Sequence, residues 1–326
     1  MKTTTKAIQD IVAEAKQIAV ITHIGPDGDA LGSLTAVGLY LRSLGKETTL
    51  YCESDIPRRF DFLPLINRIQ RDVPSDAEYD LIIAVDCGDK ERMGRPFTSM
   101  SAPKLGLINI DHHITNTRFG DVNVVGETAV SATEVLYEIF AEIGAEIKPD
   151  LATSLLTGLV TDTLAFRTIG VTGNTLKIAG ALVDAGGDLG MITMRTMTLK
   201  SPATLRLWKI GMSKVREADG VYWISITKED RKKANFMGLG SAGLVNFLAD
   251  IEDAAMGVVL TEADDGTVRV GFRCRPPFNV AEIAINLGGG GHALAAGCKL
   301  DGPIAKAEKM VIAMSKEAAQ QQGNEQ

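Results

Sequence analysis

Three short stretches of this chain are apolar almost without a break: Gln17–Thr22 (QIAVIT), Asp80–Val85 (DLIIAV) and Lys104–Ile110. A strand with one face in water alternates apolar and polar residues. An unbroken run marks a strand covered on both faces, as in a parallel sheet. Between these runs lie helical patterns. Ala30–Leu44 carries Leu31, Leu34, Val37, Leu41 and Leu44 at helical spacing and meets Gly45, a natural helix stop. Glu47–Cys52 is strand-like, and Thr133–Ile143 and Asp150–Val160 are helical. Strands alternating with helices predict an α/β fold with a doubly wound, mainly parallel sheet over residues 1–190.

From Gly220 the pattern changes. Val221–Ile226, Ala255–Glu262 and Thr267–Arg273 read as strands, the last two joined by a turn at Ala263-Asp264-Asp265-Gly266. Val280–Asn286 and Ala305–Gln320 read as helices on either side of a glycine run. The expectation is a second, smaller α/β domain over 216–320 and a frayed tail over 321–326. Residues 191–215 hold Arg195, Lys200, Arg206, Lys209 and Lys214 and no acid, and are expected to form a basic connecting helix.

Composition narrows the function classes. The net charge is −7, whereas a protein that grips long duplex DNA is normally basic. The second domain holds 12 basic against 15 acidic residues over 216–326, which predicts no basic track for a long strand. No apolar run approaches the roughly 18 residues of a spanning helix. Met1–Gln17 reads as an amphipathic helix, not a secretory signal. Cys52, Cys87, Cys274 and Cys298 form no C-x-x-C pair, so four free thiols in a reducing cytoplasm are expected.

The strand ends carry the chemistry. The first run leads into Thr22-His23-Ile24-Gly25-Pro26-Asp27-Gly28-Asp29, the third strand into Asp86-Cys87-Gly88-Asp89, and the fourth into Asp111-His112-His113. Carboxyl ends of neighbouring parallel strands converge on one crevice. One Asp after a strand is by itself usually a cap or turn former. The histidines make the difference: of the four in the chain, three sit at these ends, and the fourth, His292, follows Gly288–Gly291. Gathered carboxylates would repel one another and raise each other's pKa values unless cations join them. Imidazole with carboxylate suits Mn²⁺, Zn²⁺ or Fe²⁺ better than Ca²⁺. Asp27-Gly28-Asp29 can reach two neighbouring ions, and Asp162, between Thr161 and Thr163, is the best candidate to close a second site. A pair of ions about 3.5–4 Å apart that share a ligand is an arrangement used in phosphoryl transfer.

These residues resemble the motifs of the DHH phosphoesterase superfamily. His23-x-x-Pro26-Asp27-Gly28-Asp29-Ala30-x-Gly32-Ser33 is similar to its first motif and Val85-Asp86-Cys87-Gly88 to its second. Asp111-His112-His113 is similar to the third and Thr161-Asp162-Thr163 to the fourth. Arg273 and Gly288–His292 with Ala295-Ala296-Gly297 resemble the DHHA1 type of substrate domain, in the RecJ-related branch whose small members are nano-RNases and 3′-phosphoadenosine-5′-phosphate (pAp) phosphatases. Arg275-Pro276-Pro277 departs from that pattern, which more often has a Ser directly after the arginine.

The resemblance implies two divalent cations, Mn²⁺ by expectation. His23, Asp27 and Asp86 would hold the first, and Asp29, Asp86, His112 and Asp162 the second, with Asp86 bridging. Asp111 would support His112 from behind, and His113 would face the scissile phosphate. A hydroxide between the metals would attack phosphorus with no covalent intermediate. Arg273, Gly289, Gly290, Gly291 and His292 would bind the nucleotide across a cleft from the metals. Arginine forks phosphate, and glycines let phosphate approach the main chain. The partners implied are short RNA, dinucleotides and pAp, with no long duplex and no membrane, and a homodimer is left open. Two readings compete: a RecJ-like exonuclease on longer single strands, and a non-catalytic nucleotide- or RNA-binding module.

Overall fold

In the first half of the chain, six strands run parallel: β1 (Gln17–Ile21), β2 (Glu47–Tyr51), β3 (Ile69–Gln70), β4 (Leu81–Val85), β5 (Leu107–Asp111) and β6 (Val122–Val125). Their spatial order is β3-β2-β1-β4-β5-β6. The computed structural model describes residues 2–324 and divides into two units, Met1–Leu199 and Lys200–Gln326. Every residue of β4 and β5 is buried, as the unbroken apolar runs require.

The two faces of this sheet are covered differently. Ile18 and Val20 join a large core with the helices α1 (Lys2–Glu14), α2 (Gly28–Ser43), α4 (Ala132–Glu142), α5 (Pro149–Asp162) and α6 (Gly173–Asp184). Ala19 and Ile21 face the other way, onto a smaller core with Met93 and Phe97. Among the described residues that face receives a 3-10 turn (Glu91–Met93), the short α3 (Gly94–Thr98) and loop segments. The chain passes from β1 outward to β2 and β3, then returns to β4 on the opposite side of β1. The gap between the β1 and β4 carboxyl ends is therefore a topological switch point, where open α/β sheets bind ligands.

Two missing side chains seat α2 against α5. A Cβ on Gly32 would lie 2.5 Å from the Ser154 carbonyl oxygen, and one on Gly158 would lie 2.4 Å from Asp29 Oδ1. Backbones can meet this closely only where glycine stands. Packing here fixes where the first turn of α2 lies.

The expected single helix over 191–215 is broken. Leu189–Thr193 forms α7, Met194–Thr198 forms a π-helical turn, and α8 (Pro202–Met212) starts anew. Ser201 takes an extended backbone and its side chain accepts from Thr204 N–H, capping α8. A residue before proline is pushed out of the helical region, which explains the break.

The second unit adds β7 (Arg216–Ala218), β8 (Val221–Ile226), α9 (Lys228–Ala234), α10 (Leu244–Ala249), β9 (Met256–Glu262), β10 (Thr267–Cys274), α11 (Ala281–Asn286), β11 (Gly290–His292), β12 (Ala295–Asp301) and α12 (Ile304–Asn324). Its six strands follow the order β11-β12-β10-β9-β8-β7. Only β8 and β9 pair parallel. Residues 321–324, expected to fray, continue α12, and 325–326 lie outside the described residues. No helix among the described residues is long and apolar enough to cross a membrane.

Candidate metal centre

The carboxyl ends of β1, β4 and β5 bring their acids and histidines together. His23 follows β1 and is buried. Its Nδ1 lies 3.0 Å from the Ile24 carbonyl oxygen, which leaves Nε2 toward the acids, 3.4 Å from Asp86 Oδ2 and 4.0 Å from Asp27 Oδ1. Asp27 caps α2: its Oδ1 accepts from the Asp29 and Ala30 N–H groups at 3.1 and 3.0 Å. Half of its side chain is exposed. Asp29, in the first turn of α2, is fully buried and accepts from Ala132 N–H at 2.6 Å and Thr133 N–H at 3.0 Å. It thereby meets the amino end of α4, where the helix dipole favours a negative group.

Asp86 takes a left-handed backbone, φ 56°, as the chain leaves β4. Its side chain is 2% exposed and sits between the two histidine sets. His112 Nε2 is 3.7 Å from Asp86 Oδ1, 3.7 Å from Asp29 Oδ2 and 3.3 Å from Asp162 Oδ2. Asp162 reaches the cluster from the last residue of α5. Among the described residues three overlapping clusters emerge, in each of which ligand atoms lie within 4.8 Å of one another: His23, Asp27 and Asp86; Asp29, His112 and Asp162; and Asp86, Asp111, His112 and His113.

One pairing differs from expectation. Asp111 Oδ1 meets His113 Nδ1 at 2.8 Å, while His112 Nδ1 points to the Ala129 carbonyl oxygen at 3.3 Å. Asp111 therefore supports His113, not His112. Asn116 is a member of the site that the sequence reading missed. Its side-chain amide donates to Asp111 Oδ2 at 2.5 Å and to the Cys87 carbonyl at 3.0 Å. A loop Asn five residues past a strand has no periodic signal to single it out.

The electrostatics are those of an anion cluster. Burial pushes Asp86 well above the ordinary carboxylate range, and Asp29, Asp27, Asp162 and Asp111 push it further. Burial and Asp29 raise Asp162 in the same way. Asp29 is also raised by burial, although His112 opposes the shift. Burial would raise Asp111 too, but the hydrogen bonds from His113 and Asn116 more than offset it and hold the group low. The same Asp111 bond raises His113, while burial lowers His23.

Asp86 Oδ1 and His112 Nε2 are buried and have no hydrogen-bond partner. A buried polar atom left unpaired costs about 1–3 kcal/mol. Two such atoms converging on the same carboxylates fit a site completed by divalent cations.

The second unit holds the other expected residues. In the sheet register Arg273 lies opposite Ala295, and Ala295 opposite His292. Burial lowers the Arg273 pKa. Gly291 has φ 143°, and a Cβ there would lie 2.5 Å from the Ala295 carbonyl oxygen. The end of the glycine run, Gly290 and Gly291, pairs with His292 as edge strand β11.

The model of the DHH family N-terminal domain matches residues 17–159, and that of the DHHA1 domain matches 230–321. A Thermus thermophilus protein named bifunctional oligoribonuclease and PAP phosphatase NrnA is 32% identical over 288 residues, covering 87% of this chain and 84% of the relative. The chain belongs to the DHH family. Its DHH match contains His23, Asp27, Asp29, Asp86, Asp111, His112 and His113. Asp162 lies just past the end of that match, and Arg273 and Gly289–His292 fall inside the DHHA1 match. A Mycoplasma genitalium DHH relative of the same name is 28% identical over 300 residues, 90% of this chain and 91% of the relative. An exopolyphosphatase-related protein from Bacteroides fragilis shares the fold, with a TM-score of 0.89, 22% identity and 98% of both chains covered.

Proposed function

We propose that this DHH protein is a hydrolase that cleaves short RNA oligonucleotides and dinucleotides and removes a phosphate from pAp, using two divalent cations with Mn²⁺ the preferred ion. The observation that carries this reading is the pair of buried, unpartnered atoms, Asp86 Oδ1 and His112 Nε2, inside a ring of mutually repelling carboxylates. The names of the Thermus and Mycoplasma relatives supply the substrate class.

His23, Asp27 and Asp86 would hold one cation, and Asp29, Asp86, His112 and Asp162 the other. Bound divalent cations supply Lewis-acid charge that acidifies water and offsets charge on the phosphate oxygens. The chain's own groups do the rest. The Ile24 and Ala129 carbonyls orient His23 and His112 so that each presents Nε2. The α4 amide groups hold Asp29 in place. Asp111 meets His113 Nδ1 at 2.8 Å, orients that ring toward the phosphate and raises its pKa. Arg273 and the Gly289–His292 edge bind the nucleotide. Three buried thiols and one half-buried thiol, all free, suit a reducing cytoplasm.

The test is product analysis with Mn²⁺ on RNA of about 2 to 24 residues, linear dinucleotides, pAp and pyrophosphate. The expected kcat/KM is highest on strands of about 2–5 residues and falls for longer ones, with measurable release of phosphate from pAp. Few phosphates are engaged, so salt weakens binding only shallowly. Faster, processive degradation of a 24-residue strand would replace this reading with the RecJ-like one.

A further inference from the structure

The near-neutral composition of the second unit hides a local concentration of positive charge. Along β10, Val268, Val270, Phe272 and Cys274 point into the core, while Arg269, Gly271 and Arg273 point to the opposite face. Along β12, Ala296, Cys298 and Leu300 pack against the same core, leaving Ala295, Gly297 and Lys299 on the face of the arginines. Directly opposed residues of an antiparallel pair project to the same side.

The register then lays out four rows on that face, the outermost pairing Thr267 with the exposed Asp301 beside the Arg269–Lys299 row. Arg269 lies opposite Lys299. Gly271 lies opposite Gly297, and Gly297 opposite Gly290. Arg273, Ala295 and His292 form the fourth row. Toward the middle of the sheet the same face is covered by α10, because a Cβ on Gly257 would strike the Ala249 nitrogen at 2.7 Å. On the β10–β12–β11 side Arg269, Lys299 and Gly290 are exposed. This side is a shallow lane with cations at both ends and bare backbone between them.

Like charges directly opposed across a sheet are destabilising. Arg269 makes no ion pair among the described residues. The acid near Lys299 is Asp265, 3.4 Å away, with both side chains 58% exposed. Such a pair in water contributes about 0–1 kcal/mol and leaves Lys299 able to turn to another anion. Four residues of strand separate Arg273 from Arg269, about 14 Å at a rise of about 3.4 Å per residue. A single phosphate at Arg273 cannot also reach the far end of the lane.

We infer that Arg269 and Lys299 form a second phosphate subsite, which engages a phosphate further along a short RNA strand, beyond the adjacent one, when its first lies at Arg273 and the glycine row. This rests on the phosphoesterase reading above. The row of Gly271, Gly297 and Gly290 keeps the path between the two subsites free of side chains. The lane serves strands of a few residues and adds nothing for pAp beyond the first subsite.

The test compares Arg269→Gln/Lys299→Gln with the wild type on a five-residue RNA and on pAp, with Mn²⁺. Both positions are exposed, and an unchanged Tm confirms the fold. The loss of kcat/KM on the five-residue strand should exceed that on pAp by about tenfold. The slope of log Kd for the strand against log salt should shrink by about 0.7 for each phosphate that the variant no longer neutralises. Arg269→Lys should recover most of the strand activity. Equal losses on both substrates, no loss on either, or an unchanged salt slope would overturn the second subsite while leaving the phosphoesterase reading intact. A wild-type protein that hydrolyses neither substrate overturns both.

Discussion

Gly158 is the position where packing and chemistry meet most directly. It lies in α5, away from every proposed ligand in sequence except Asp162. A Cβ there would lie 2.4 Å from Asp29 Oδ1, 2.4 Å from Thr133 Cγ2 and 2.5 Å from Thr133 Oγ1. Carbon atoms sit comfortably about 3.5–4.0 Å apart, so Gly158→Ala forces a movement of about 1 Å. Alanine gains about 0.8–1 kcal/mol over glycine in a helix interior. Overpacking a tight site costs about 1–3 kcal/mol. The net loss of stability is then about 0–2 kcal/mol, and the protein still folds. The site suffers more. Asp29 is held by the Ala132 and Thr133 amides at 2.6 and 3.0 Å, and its displacement breaks that cradle. Disturbing the support of a metal ligand typically costs about 10–100-fold in affinity or activity. Urea unfolding of the metal-free protein measures the change in stability, and calorimetric Mn²⁺ titration with pAp turnover measures the damage to the site. A Gly158→Ala protein with wild-type Mn²⁺ affinity and wild-type turnover would refute the claim that the packing of α2 on α5 positions Asp29.

Three further outcomes follow from the same geometry. Asp86→Asn should abolish turnover yet raise the stability of the metal-free protein, because it removes a buried charge that Asp29, Asp27, Asp162 and Asp111 repel; denaturant melts in EDTA check this, and a destabilised variant would contradict it. Asp29, Asp86 and Asp162 have pKa values raised in the fold, so the folded metal-free chain binds more protons than the unfolded chain, and their contribution to stability falls as pH rises above about 4; Tm in EDTA should decline from about pH 5 to 8 more steeply than Tm in Mn²⁺, and parallel profiles would contradict it. Asp111→Asn removes the strong acceptor from His113 and should lower turnover by about 10–100-fold, with the His113 pKa falling toward its ordinary value in an NMR titration.

Much of this architecture was legible because its signals are local. Buried parallel strands declare themselves as apolar runs, and in such a sheet the residues just past those runs must share a crevice. That is why His23, Asp86 and His112 could be brought together from sequence. The missed elements lack such signals. Strand β3 has two residues, and β12 (AAGCKLD) mixes small and charged residues because one of its faces is open. The pairing of Asp111 with His113 depends on the backbone path after β5, and the role of Asn116 depends on how the following loop folds back. Gly158 reads as an ordinary helix glycine until α2 is laid against it. The cationic lane was invisible for a related reason. A charge count over residues 216–326 averages Arg269, Arg273 and Lys299 with acids elsewhere, whereas register places all three on one face.

The central claim is that the ends of β1, β4 and β5, with the end of α5, gather ligands for two cations that share Asp86. Anomalous diffraction from crystals of the full chain grown with Mn²⁺ tests it most directly. Two peaks per chain are expected, one among His23, Asp27 and Asp86 and one among Asp29, Asp86, His112 and Asp162, with Asp86 touching both. A single peak, or ions bound away from Asp86, would contradict it.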